Sequence, residues 1–402
     1  MQSSTFIKFD PARVPSPCFV IDEVAIERNL KVLNYVQEKS GAKVLAALKA
    51  FSCWHLAPLV NQYLSGICAS GYHEARLGYE EYTNKGEQGE QGEVHVFSAA
   101  FSQQEFDNIL PIANHIVFNS FSQWEKYKAQ GMAHQKNNQQ NIQFGLRINP
   151  QHSEGTTEIY DPCAAGSRLG IPISEFANKS LEGVSGLHFH TLCEQGLEPL
   201  RRTLAAVEEN FSDYLPAMQW INFGGGHHIS HPDYDVEGLI KLIKSFAKKY
   251  NVQVYLEPGE AIAIRSGVLV SEVLDVMHTD RLQAILDTSA TCHMPDTLEM
   301  PYRPDVFLSG GIKSGEANQL PYNYRLGGMT CLAGDVISDY SFEEPLQVGD
   351  RLMFDDMAHY TMVKTNTFNG IPLPAIAIWN SKTNDVKLVK RFNYNDFKNR
   401  LS

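Results

Sequence analysis

The sequence predicts an α/β protein in which a (β/α)8 barrel of the TIM type is followed by an all-β domain. Two observations support this fold class. Short apolar runs alternate with amphipathic stretches from about residue 44 to about residue 256, as in a barrel of buried parallel strands. Beyond about residue 265, strand-like segments follow one another without long helices between them.

Eight apolar runs are candidates for the barrel strands. Their approximate starting points are Val44, Ile67, Val94, Ile116, Ile142, Val184, Trp220 and Val252. The clearest amphipathic helices between the runs are 198–215 and 236–250, and Asp233 or Asp235 could cap the second of these. The polar segments "GEQGEQGE" (86–93) and "HQKNNQQN" (134–141) are typical of solvated loops.

The domain boundaries follow from the change in pattern. We predict a barrel over residues 25–265 and a β domain over 266–402. The β domain contains the strand-like segments "GVLVSEVLDVMH", "LQAILDTS" and "DRLMFDDMAHYTMV". The early segment "SPCFVIDEV" is also strand-like, so we expect residues 1–24 to join the β domain.

The composition argues against several classes of protein. A net charge of −12 disfavours nucleic-acid binding. No apolar run reaches the roughly 18 residues of a membrane span, and the N-terminus does not resemble a signal peptide. Seven scattered cysteines, without a C-x-x-C pair, suggest reduced thiols in the cytoplasm. We therefore expect a cytoplasmic protein that binds neither nucleic acid, membrane nor metal.

Polar residues or glycines follow the ends of the predicted strands. The active site of such a barrel lies at the carboxyl ends of its strands, so these residues are candidates for a common site. In chain order they are Lys49, Ser70 with nearby Glu74, Ser98, Asn119, Arg147, His190, the glycines 224–226 and Glu257.

Each of these residues also has a structural interpretation. Lys49 could extend to water from the end of its strand, or it could be a nucleophilic amine that forms a Schiff base with a carbonyl or with pyridoxal phosphate. The three glycines could form a flexible turn or bind an anion through their N–H groups. Glu257 could be a cap, or it could keep a pyridine nitrogen protonated. His190 could be a buried histidine with satisfied hydrogen bonds or could lie against such a ring.

Two residues of the predicted β domain are further candidates. Cys331, in "GGMTCLAGD", could be an inert buried thiol or could donate a proton or attack a substrate. Tyr360, in "HYTMVKTNTFNG", could pack in a strand or offer its hydroxyl to a phosphate.

Together these segments resemble the fold-type III pyridoxal-phosphate decarboxylases, whose members combine an alanine-racemase-like barrel with a β domain. The resemblance covers nearly the whole chain. It implies that Lys49 is the Schiff-base lysine, that His190 of "GLHFH" stacks on the cofactor ring, and that Glu257 of "EPG" contacts the pyridine nitrogen. It also implies that Gly224, Gly225 and Gly226 bind the phosphate. Arg147 is a further candidate for binding pyridoxal 5'-phosphate.

The same resemblance assigns roles in the β domain. The pattern G-x-T-C-x-x-x-D resembles the family's catalytic cysteine and substrate-amine aspartate, here Cys331 and Asp335. The pattern "YT…TFNG" resembles a phosphate-contacting tyrosine, Tyr360, and an interface segment around Phe368. In relatives the cysteine reaches the site of the neighbouring subunit, so the resemblance implies a homodimer with shared active sites.

Three segments further resemble the family members that act on carboxylated polyamines. They are "GLHFHTLCEQ", "EPGEA" and "HMPDTLEMPYRP". This resemblance implies decarboxylation of carboxynorspermidine to norspermidine, or of carboxyspermidine to spermidine. An extended polyamine needs carboxylates spaced along its length. The candidate substrate-binding residues are Asp335, Asp287, Asp296 and Glu299 for the amines, and Arg303 for the departing carboxylate.

The chain departs from the family pattern at three places. Glu260 stands where most relatives have arginine, which removes a cation near the phosphate loop. Leu192 and Cys193 stand where relatives often have Gly-Ser, so a phosphate-contacting serine is missing. The segment "SGYHE" is one residue longer than its counterpart, which weakens the assignment of Glu74.

Other functions remain open at this stage. One is decarboxylation of diaminopimelate, ornithine or arginine, and alanine racemisation is a weaker possibility. Another is a non-catalytic pyridoxal-phosphate carrier built on the same barrel. Carriers resemble the barrel alone, so the long β region with Cys331 argues against that function.

Overall fold

The protein was analysed as a computed structural model that describes residues 5–83, 91–138, 141–155 and 157–402. The chain forms two compact units. The barrel unit comprises residues 27–262, and the sheet unit comprises the residues up to Ile26 together with residues 263–402. Within the described ranges, no helix combines the length and apolar character needed to cross a membrane.

The first strand, β1 (Cys18–Asp22), belongs to the sheet unit. The next eight strands form a closed parallel barrel, which confirms the predicted fold class for this part of the chain. These strands are β2 (Lys43–Ala47), β3 (Gly66–Ala69), β4 (Glu93–Phe97), β5 (His115–Phe118), β6 (Gln143–Arg147), β7 (Val184–His188), β8 (Trp220–Asn222) and β9 (Gln253–Leu256).

The helices up to the end of the barrel vary widely in length. They are α1 (Glu23–Ser40), α2 (Ala57–Asn61), α3 (Tyr72–Leu77), α4 (Gln103–Ile109), α5 (Phe121–Asn138), α6 (Leu197–Phe211), α7 (Val236–Tyr250) and α8 (Glu260–Ala263). The predicted helix 236–250 coincides with α7, and Asp235 is its cap because its side chain accepts a hydrogen bond from the backbone N–H of Gly238 at 2.8 Å.

One loop prediction is wrong, and another falls mostly outside the described residues. Residues 134–138 of the segment "HQKNNQQN" form the last turns of α5. The polar composition misled the prediction because an exposed helical face tolerates the same residues as a loop. Of the predicted loop 86–93, residues 86–90 lie outside the described ranges, and Glu93 begins β4.

The sheet unit contains a nine-stranded mixed sheet, which confirms the predicted β domain as part of the fold class. In this sheet β1 runs antiparallel to β10 and parallel to β16. The remaining elements are β10 (Gly267–His278), β11 (Leu282–Leu286), α9 (Ala290–His293), α10 (Asp296–Glu299), β12 (Val306–Leu308), β13 (Tyr322–Gly327), β14 (Val336–Phe342), β15 (Arg351–Asp355), β16 (Ala375–Trp379), β17 (Val386–Lys390) and α11 (Tyr394–Lys398).

The middle of the barrel is filled by a tryptophan that faces two glycines. Trp220 is 1% exposed and packs with Leu45, Val117 and other apolar side chains. A Cβ atom at Gly186 would lie 2.1 Å from the Trp220 indole, and one at Gly145 would lie 2.4 Å from it. The two glycines therefore provide the space that the indole occupies.

Polar side chains gather at the opposite end of the barrel from the candidate site, where the strands begin. The Glu93 carboxylate forms an ion pair with Lys43 and lies 2.8 Å from the His95 Nε2 atom. The imidazoles of His95 and His115 are stacked, with centroids 3.8 Å apart and planes inclined by 15°. The potential ligand atoms of Glu93, His95 and His115 lie within 4.8 Å of one another. Parallel rings direct their nitrogen lone pairs side by side, whereas a metal ion needs donors that converge on one point.

We expect Gly186→Ala to destabilise the protein by about 1–3 kcal/mol, because the added methyl group overpacks the barrel core. Urea unfolding monitored by circular dichroism and tryptophan fluorescence measures this loss. Gly155→Ala is the control, since its Cβ atom would meet only ordinary contacts at 3.5 Å and beyond. Equal unfolding free energies for the two variants would contradict the packing argument.

Candidate active site

Four of the predicted site residues meet at the carboxyl end of the barrel. Lys49 lies two residues beyond β2, Arg147 is the last residue of β6, His190 lies two residues beyond β7, and Glu257 directly follows β9. Parallel strands end on one rim of a barrel, so residues distant in sequence come together there. The glycines 224–226, which follow β8, lie on the same rim.

Lys49 projects into a recess of the barrel mouth. The turn that carries it is fixed by the backbone N–H groups of Ala50 and Phe51, both of which donate to the carbonyl of Ala47. Water reaches the side chain, yet protein groups surround it, and this burial lowers the pKa of Lys49 against the smaller opposing effects of Cys68 and Glu257. The Lys49 side chain therefore has a larger neutral, nucleophilic fraction than an ordinary lysine.

His190 contacts Lys49 directly, and its hydrogen bonds define its tautomer. The backbone N–H of Gly225 donates to the His190 Nδ1 atom at 3.0 Å, so the ring proton of the neutral imidazole lies on Nε2. That Nε2 atom is 3.2 Å from the Lys49 Nζ atom. Burial, with Lys49 and Arg147 nearby, holds the pKa of His190 well below its usual value. A neutral His190 can thus donate its Nε2–H to a neutral Lys49 amine.

Glu257 is largely buried, with 14% of its side chain exposed, and holds its charge through specific partners. The Asn222 Nδ2–H donates to one carboxylate oxygen at 2.7 Å, and the His188 Nε2 atom lies 3.1 Å from the other oxygen. Burial alone would raise the pKa of Glu257, but contact with His188 and the charge of Lys49 lower it below its usual value. The carboxylate is therefore ionised at neutral pH.

The glycine turn lies too close to neighbouring backbone for any side chain. A Cβ atom at Gly225 would be 2.1 Å from the Glu257 carbonyl oxygen, and one at Gly226 would be 1.8 Å from the Leu192 carbonyl oxygen. Gly224 and Gly226 also have positive φ angles of 70° and 82°. The N–H groups of Gly224 and Gly225 donate to Asn222 and His190, so the predicted anion cradle lacks two of its three expected donors.

The Arg147 side chain is fixed at the rim by one backbone carbonyl and one aromatic ring. Its guanidinium donates to the His190 carbonyl at 3.0 Å and lies 4.6 Å from the centroid of the Phe97 ring. Burial lowers the pKa of Arg147 to about 10, although the nearby Glu257 opposes this effect. The arginine remains charged at neutral pH and adds positive potential to the site.

The other strand-end residues have local hydrogen bonds of their own. The Glu74 carboxylate accepts a hydrogen bond from the Ser70 backbone N–H at 2.7 Å, which orders the turn after β3. The Ser98 hydroxyl donates to the Ala100 carbonyl. The Asn119 amide donates to the Arg168 carbonyl at 2.7 Å. Glu74 and Ser98 thus order their own loops, whereas Asn119 connects the end of β5 to the segment around Arg168.

The predicted site residues of the β domain lie in the sheet unit. Cys331 is an exposed free thiol. Its backbone N–H donates to the Asn369 side chain at 3.1 Å, and this hydrogen bond connects the segment "GGMTCLAGD" to the segment "TFNG". Beside it the apolar side chains of Met329, Leu332 and Phe368 are between 42% and 46% exposed. Tyr360 has a φ angle of 29°, which is costly for a bulky residue and is typical of functional segments.

Asp335 is saturated by hydrogen bonds from its own unit. It is 4% exposed and accepts from the Ser289 hydroxyl, from the Thr291 N–H and from both the N–H and the hydroxyl of Thr330. These donors use the acceptor capacity of a carboxylate. Asp335 thus organises the loop that carries Cys331.

Two further candidates for substrate binding are also held by structural contacts. Asp287 accepts hydrogen bonds from the Ser271 hydroxyl and the Glu272 N–H, and burial raises its pKa. Arg303 stacks at 4.1 Å over the Tyr340 ring and donates to the carbonyls of Gly315 and Asp339. These contacts leave Arg303 little capacity for a ligand, whereas both donors to Asp287 use its Oδ1 atom and the charge of Arg351 also acts on this carboxylate.

Asp296 and Glu299 form a different environment on α10. The Asp296 Oδ2 atom accepts from the hydroxyls of Tyr302 and Thr361 at 2.7 and 2.8 Å. Its Oδ1 atom is buried and has no hydrogen-bond partner among the described residues. Glu299 forms an ion pair with Lys364. Asp296 is therefore the candidate whose carboxylate retains an unused acceptor.

Sequence analysis missed the residues that hold Glu257. Asn222 directly precedes the segment "FGGG", and His188 is the first histidine of "GLHFH". Cys68, on β3, also contacts Glu257, and burial raises its pKa well above the usual value for a thiol. The period-2 spacing of His188 and His190 was an available signal, because alternate residues of a strand lie on the same face.

Comparison with known proteins establishes the class of protein. The chain matches the family model described as "Pyridoxal-dependent decarboxylase, C-terminal sheet domain" over residues 18–358. The chain therefore belongs to the pyridoxal-dependent decarboxylase family, as the resemblance of its motifs predicted.

Several relatives that match nearly the whole chain are named as decarboxylases of carboxylated polyamines. The chain is 41% identical to the carboxynorspermidine/carboxyspermidine decarboxylase of Campylobacter jejuni, covering 96% of this chain and 98% of that protein. It is also 41% identical to the carboxyaminopropylagmatine decarboxylase of Synechocystis, covering 96% of each protein. The crystal structure of carboxynorspermidine decarboxylase from C. jejuni, complexed with norspermidine, superposes with a TM-score of 0.84 at 39% identity, covering 96% of this chain and all of that one.

We expect Lys49 of the cofactor-free protein to react with an amine-specific acylating reagent at a lower pH than an exposed lysine does. The reason is that burial favours its neutral form. Competitive labelling across a pH series, read out by peptide mass spectrometry, compares Lys49 with the exposed Lys382 as an internal control. Coincident pH profiles for the two lysines would show that Lys49 is an ordinary surface amine.

Proposed function

We propose that the rim of the barrel unit binds pyridoxal 5'-phosphate through Lys49, His190, Glu257, Arg147 and the glycine turn 224–226. The residues fit this group chemically. Lys49 offers a partly neutral amine for an aldehyde, Glu257 offers an ionised carboxylate for a pyridinium, and Arg147 offers positive charge near a phosphate. The Lys49–His190 contact of 3.2 Å carries this proposal, because it combines a nucleophilic amine with a donor aligned to it.

When bound, the cofactor supplies an electron sink for the pair of electrons left by the departing carboxylate. The protein contributes the proton positions. Glu257, held ionised, accepts the hydrogen bond of a protonated pyridine nitrogen. His190 donates from Nε2 toward Lys49 and so orients the amine. Arg147, held by the His190 carbonyl and the Phe97 ring, raises the positive potential of the rim.

The proposed substrate is carboxynorspermidine or carboxyspermidine, and the proposed reaction is its decarboxylation to norspermidine or spermidine. The near full-length similarity to the C. jejuni protein supports this substrate class. Asp296 is our candidate for binding a distal ammonium group, because its Oδ1 atom lacks a partner among the described residues. The equal identity to the Synechocystis protein supports carboxyaminopropylagmatine as a second candidate substrate.

We further propose that Cys331 protonates the substrate Cα atom in the site of a neighbouring subunit, within a cytoplasmic homodimer. The exposed apolar side chains of Met329, Leu332 and Phe368 support this arrangement. Clustered apolar side chains of this kind are favourable when a partner covers them. Tyr360, with its strained backbone, is our candidate for a phosphate contact.

A substrate panel tests the proposed reaction. We expect the purified holoenzyme to release CO2 from carboxynorspermidine or carboxyspermidine, with the matching polyamine identified by mass spectrometry. Carboxyaminopropylagmatine, diaminopimelate, ornithine, arginine and D-alanine complete the panel, and Lys49→Ala is the control for background. A preference for diaminopimelate, ornithine or arginine would refute the assigned substrate, and no CO2 release from any compound would favour the carrier function.

The proposed cofactor linkage predicts a covalent adduct on a single lysine. Borohydride reduction of the holoprotein should abolish its visible absorption band and fix the pyridoxyl group on Lys49. Lys49→Ala should show neither the reducible linkage nor turnover, because the substitution removes the amine that forms the linkage. Peptide mapping locates the adduct. A pyridoxyl group on any other lysine of the wild-type protein would end this assignment.

The proposed shared site predicts complementation between two inactive variants. Lys49→Ala and Cys331→Ala subunits, each folded and nearly inactive alone, should recover activity when mixed. Random exchange makes half the dimers hybrid with one intact site of two, so about a quarter of wild-type activity should return if mass action governs exchange. Hybrid formation is verified by native mass spectrometry with one subunit tagged. Verified hybrids without activity would show that both residues act within one chain.

A further inference from the structure

Asn222 connects the carboxylate of Glu257 to the glycine turn. Its Nδ2–H donates to the Glu257 Oε1 atom at 2.7 Å, while its Oδ1 atom accepts from the Gly224 N–H at 2.8 Å. The two contacts use opposite ends of one amide, so only one amide orientation satisfies both. The backbone N–H of Glu257 also donates to the Gly224 carbonyl, so the turn and the carboxylate are joined twice.

His188 contacts the other oxygen of the same carboxylate. Its Nε2 atom lies 3.1 Å from the Glu257 Oε2 atom, and its Nδ1 atom is buried without a partner among the described residues. Burial lowers the pKa of His188, partly offset by Glu257. A protonated ring would leave a buried Nδ1–H unpaired, which is costly. His188 is therefore neutral and donates its single N–H to Glu257.

We propose that His188 and Asn222 are positioning residues that keep Glu257 ionised and leave its remaining lone pairs for the pyridine nitrogen of the cofactor. This inference rests on the proposed function. Each carboxylate oxygen receives one fixed donor, and hydrogen bonds to the charged form make a carboxylate a weaker base. A proton shared between Glu257 and the ring nitrogen then resides on the nitrogen. The ring can be an electron sink only in that state.

The other charged or titratable groups near Glu257 do not replace these donors. Lys49 and Arg147 act on it through charge, and Cys68 lies beside it with a thiol that stays protonated. The Phe97 ring lies between the Arg147 guanidinium and His188, at 4.6 Å from the first and 5.5 Å from the second. His95, nearer the start of its strand, contributes only a long-range charge effect. His188 and Asn222 are therefore the neutral nitrogen donors that orient the Glu257 carboxylate, one on each oxygen.

The two donors can be removed separately with conservative substitutions. Asn222→Asp keeps an acceptor for the Gly224 N–H but replaces the donor to Glu257 with a second carboxylate, so the lost hydrogen bond and the like-charge repulsion both raise the pKa of Glu257. His188→Leu removes the second donor, while His188→Gln replaces it with an amide N–H of similar reach. Asn210→Asp makes the same change of charge at an amide that contacts the Pro150 carbonyl. It is the matched control.

The measurement is the 15N chemical shift of protein-bound pyridoxal phosphate labelled at the ring nitrogen, followed over pH. The wild-type protein is measured first. Failure of the wild type to bind the cofactor at Lys49 would refute the proposed function, whereas a pyridinium signal supports it. In Asn222→Asp and His188→Leu we expect the signal to move toward neutral pyridine and kcat to fall with it, because each one-unit rise in the carboxylate pKa shifts the shared proton about tenfold toward Glu257.

His188→Gln and Asn210→Asp show whether the changes in nitrogen shift and kcat come from the lost hydrogen bonds to Glu257. We expect His188→Gln to restore the pyridinium shift, and Asn210→Asp to match the wild type in both readouts. Circular dichroism and cofactor affinity verify that each variant is folded. If His188→Leu does not fold, the result for Asn222→Asp alone tests the proposal, because aspartate has nearly the same shape as asparagine. A wild-type nitrogen shift and wild-type kcat in Asn222→Asp would overturn the proposal.

Discussion

The close backbone approach of the glycine turn 224–226 is the constraint on which the candidate site depends. Side chains at Gly225 or Gly226 would collide with the carbonyls of Glu257 and Leu192. The approach brings the ends of β7, β8 and β9 into contact, so that the Gly225 N–H reaches His190 and the Gly224 N–H reaches Asn222. Backbone geometry thereby fixes the tautomer of His190 and the orientation of the Asn222 amide, and these determine what Lys49 and Glu257 can do.

The balance of charge in the site follows from burial. Several basic groups share one recess, and low solvation favours the neutral forms of His188 and His190 and lowers the pKa of Lys49. Glu257 is the exception because it receives a donor on each oxygen. One ionised carboxylate among neutral donors is an environment that stabilises a protonated heterocycle. An ion pair between Arg147 and Glu257 would oppose this, and the Phe97 ring lies against the guanidinium instead.

Strong periodicity made the fold and the strand-end residues predictable. The helix 236–250 and the strand 267–278 were predicted with the bounds that the structure has, because their apolar patterns are regular and Asp235 marks a helix start. Segment 134–138 was mispredicted because an exposed helical turn and a loop share polar composition. Lys49, His190 and Glu257 could be placed on one rim because a barrel brings strand ends together.

The partners of these residues could not be predicted in the same way. Contacts such as Asn222 with Glu257 depend on register and rotamer, which the pattern of apolar residues does not encode. The glycine turn is an instructive case. Its sequence suggested an anion cradle, yet two of its N–H groups are used inside the barrel. A glycine-rich motif reveals that backbone approaches something closely, but only the structure reveals what it approaches.

The acidic residues of the sheet unit show why substrate specificity is harder to infer than cofactor chemistry. A carboxylate that binds an ammonium group must keep acceptor capacity in the folded protein, and residue type alone does not report this. Asp335 has the right chemistry, but donors of its own unit already use both of its oxygens, and two donors share the Oδ1 atom of Asp287. Asp296 has two donors on one oxygen and none on the other among the described residues. What distinguishes Asp296 is that its unsatisfied oxygen is buried, so it needs a cationic or hydrogen-bonding partner, which is the property an extended polyamine supplies.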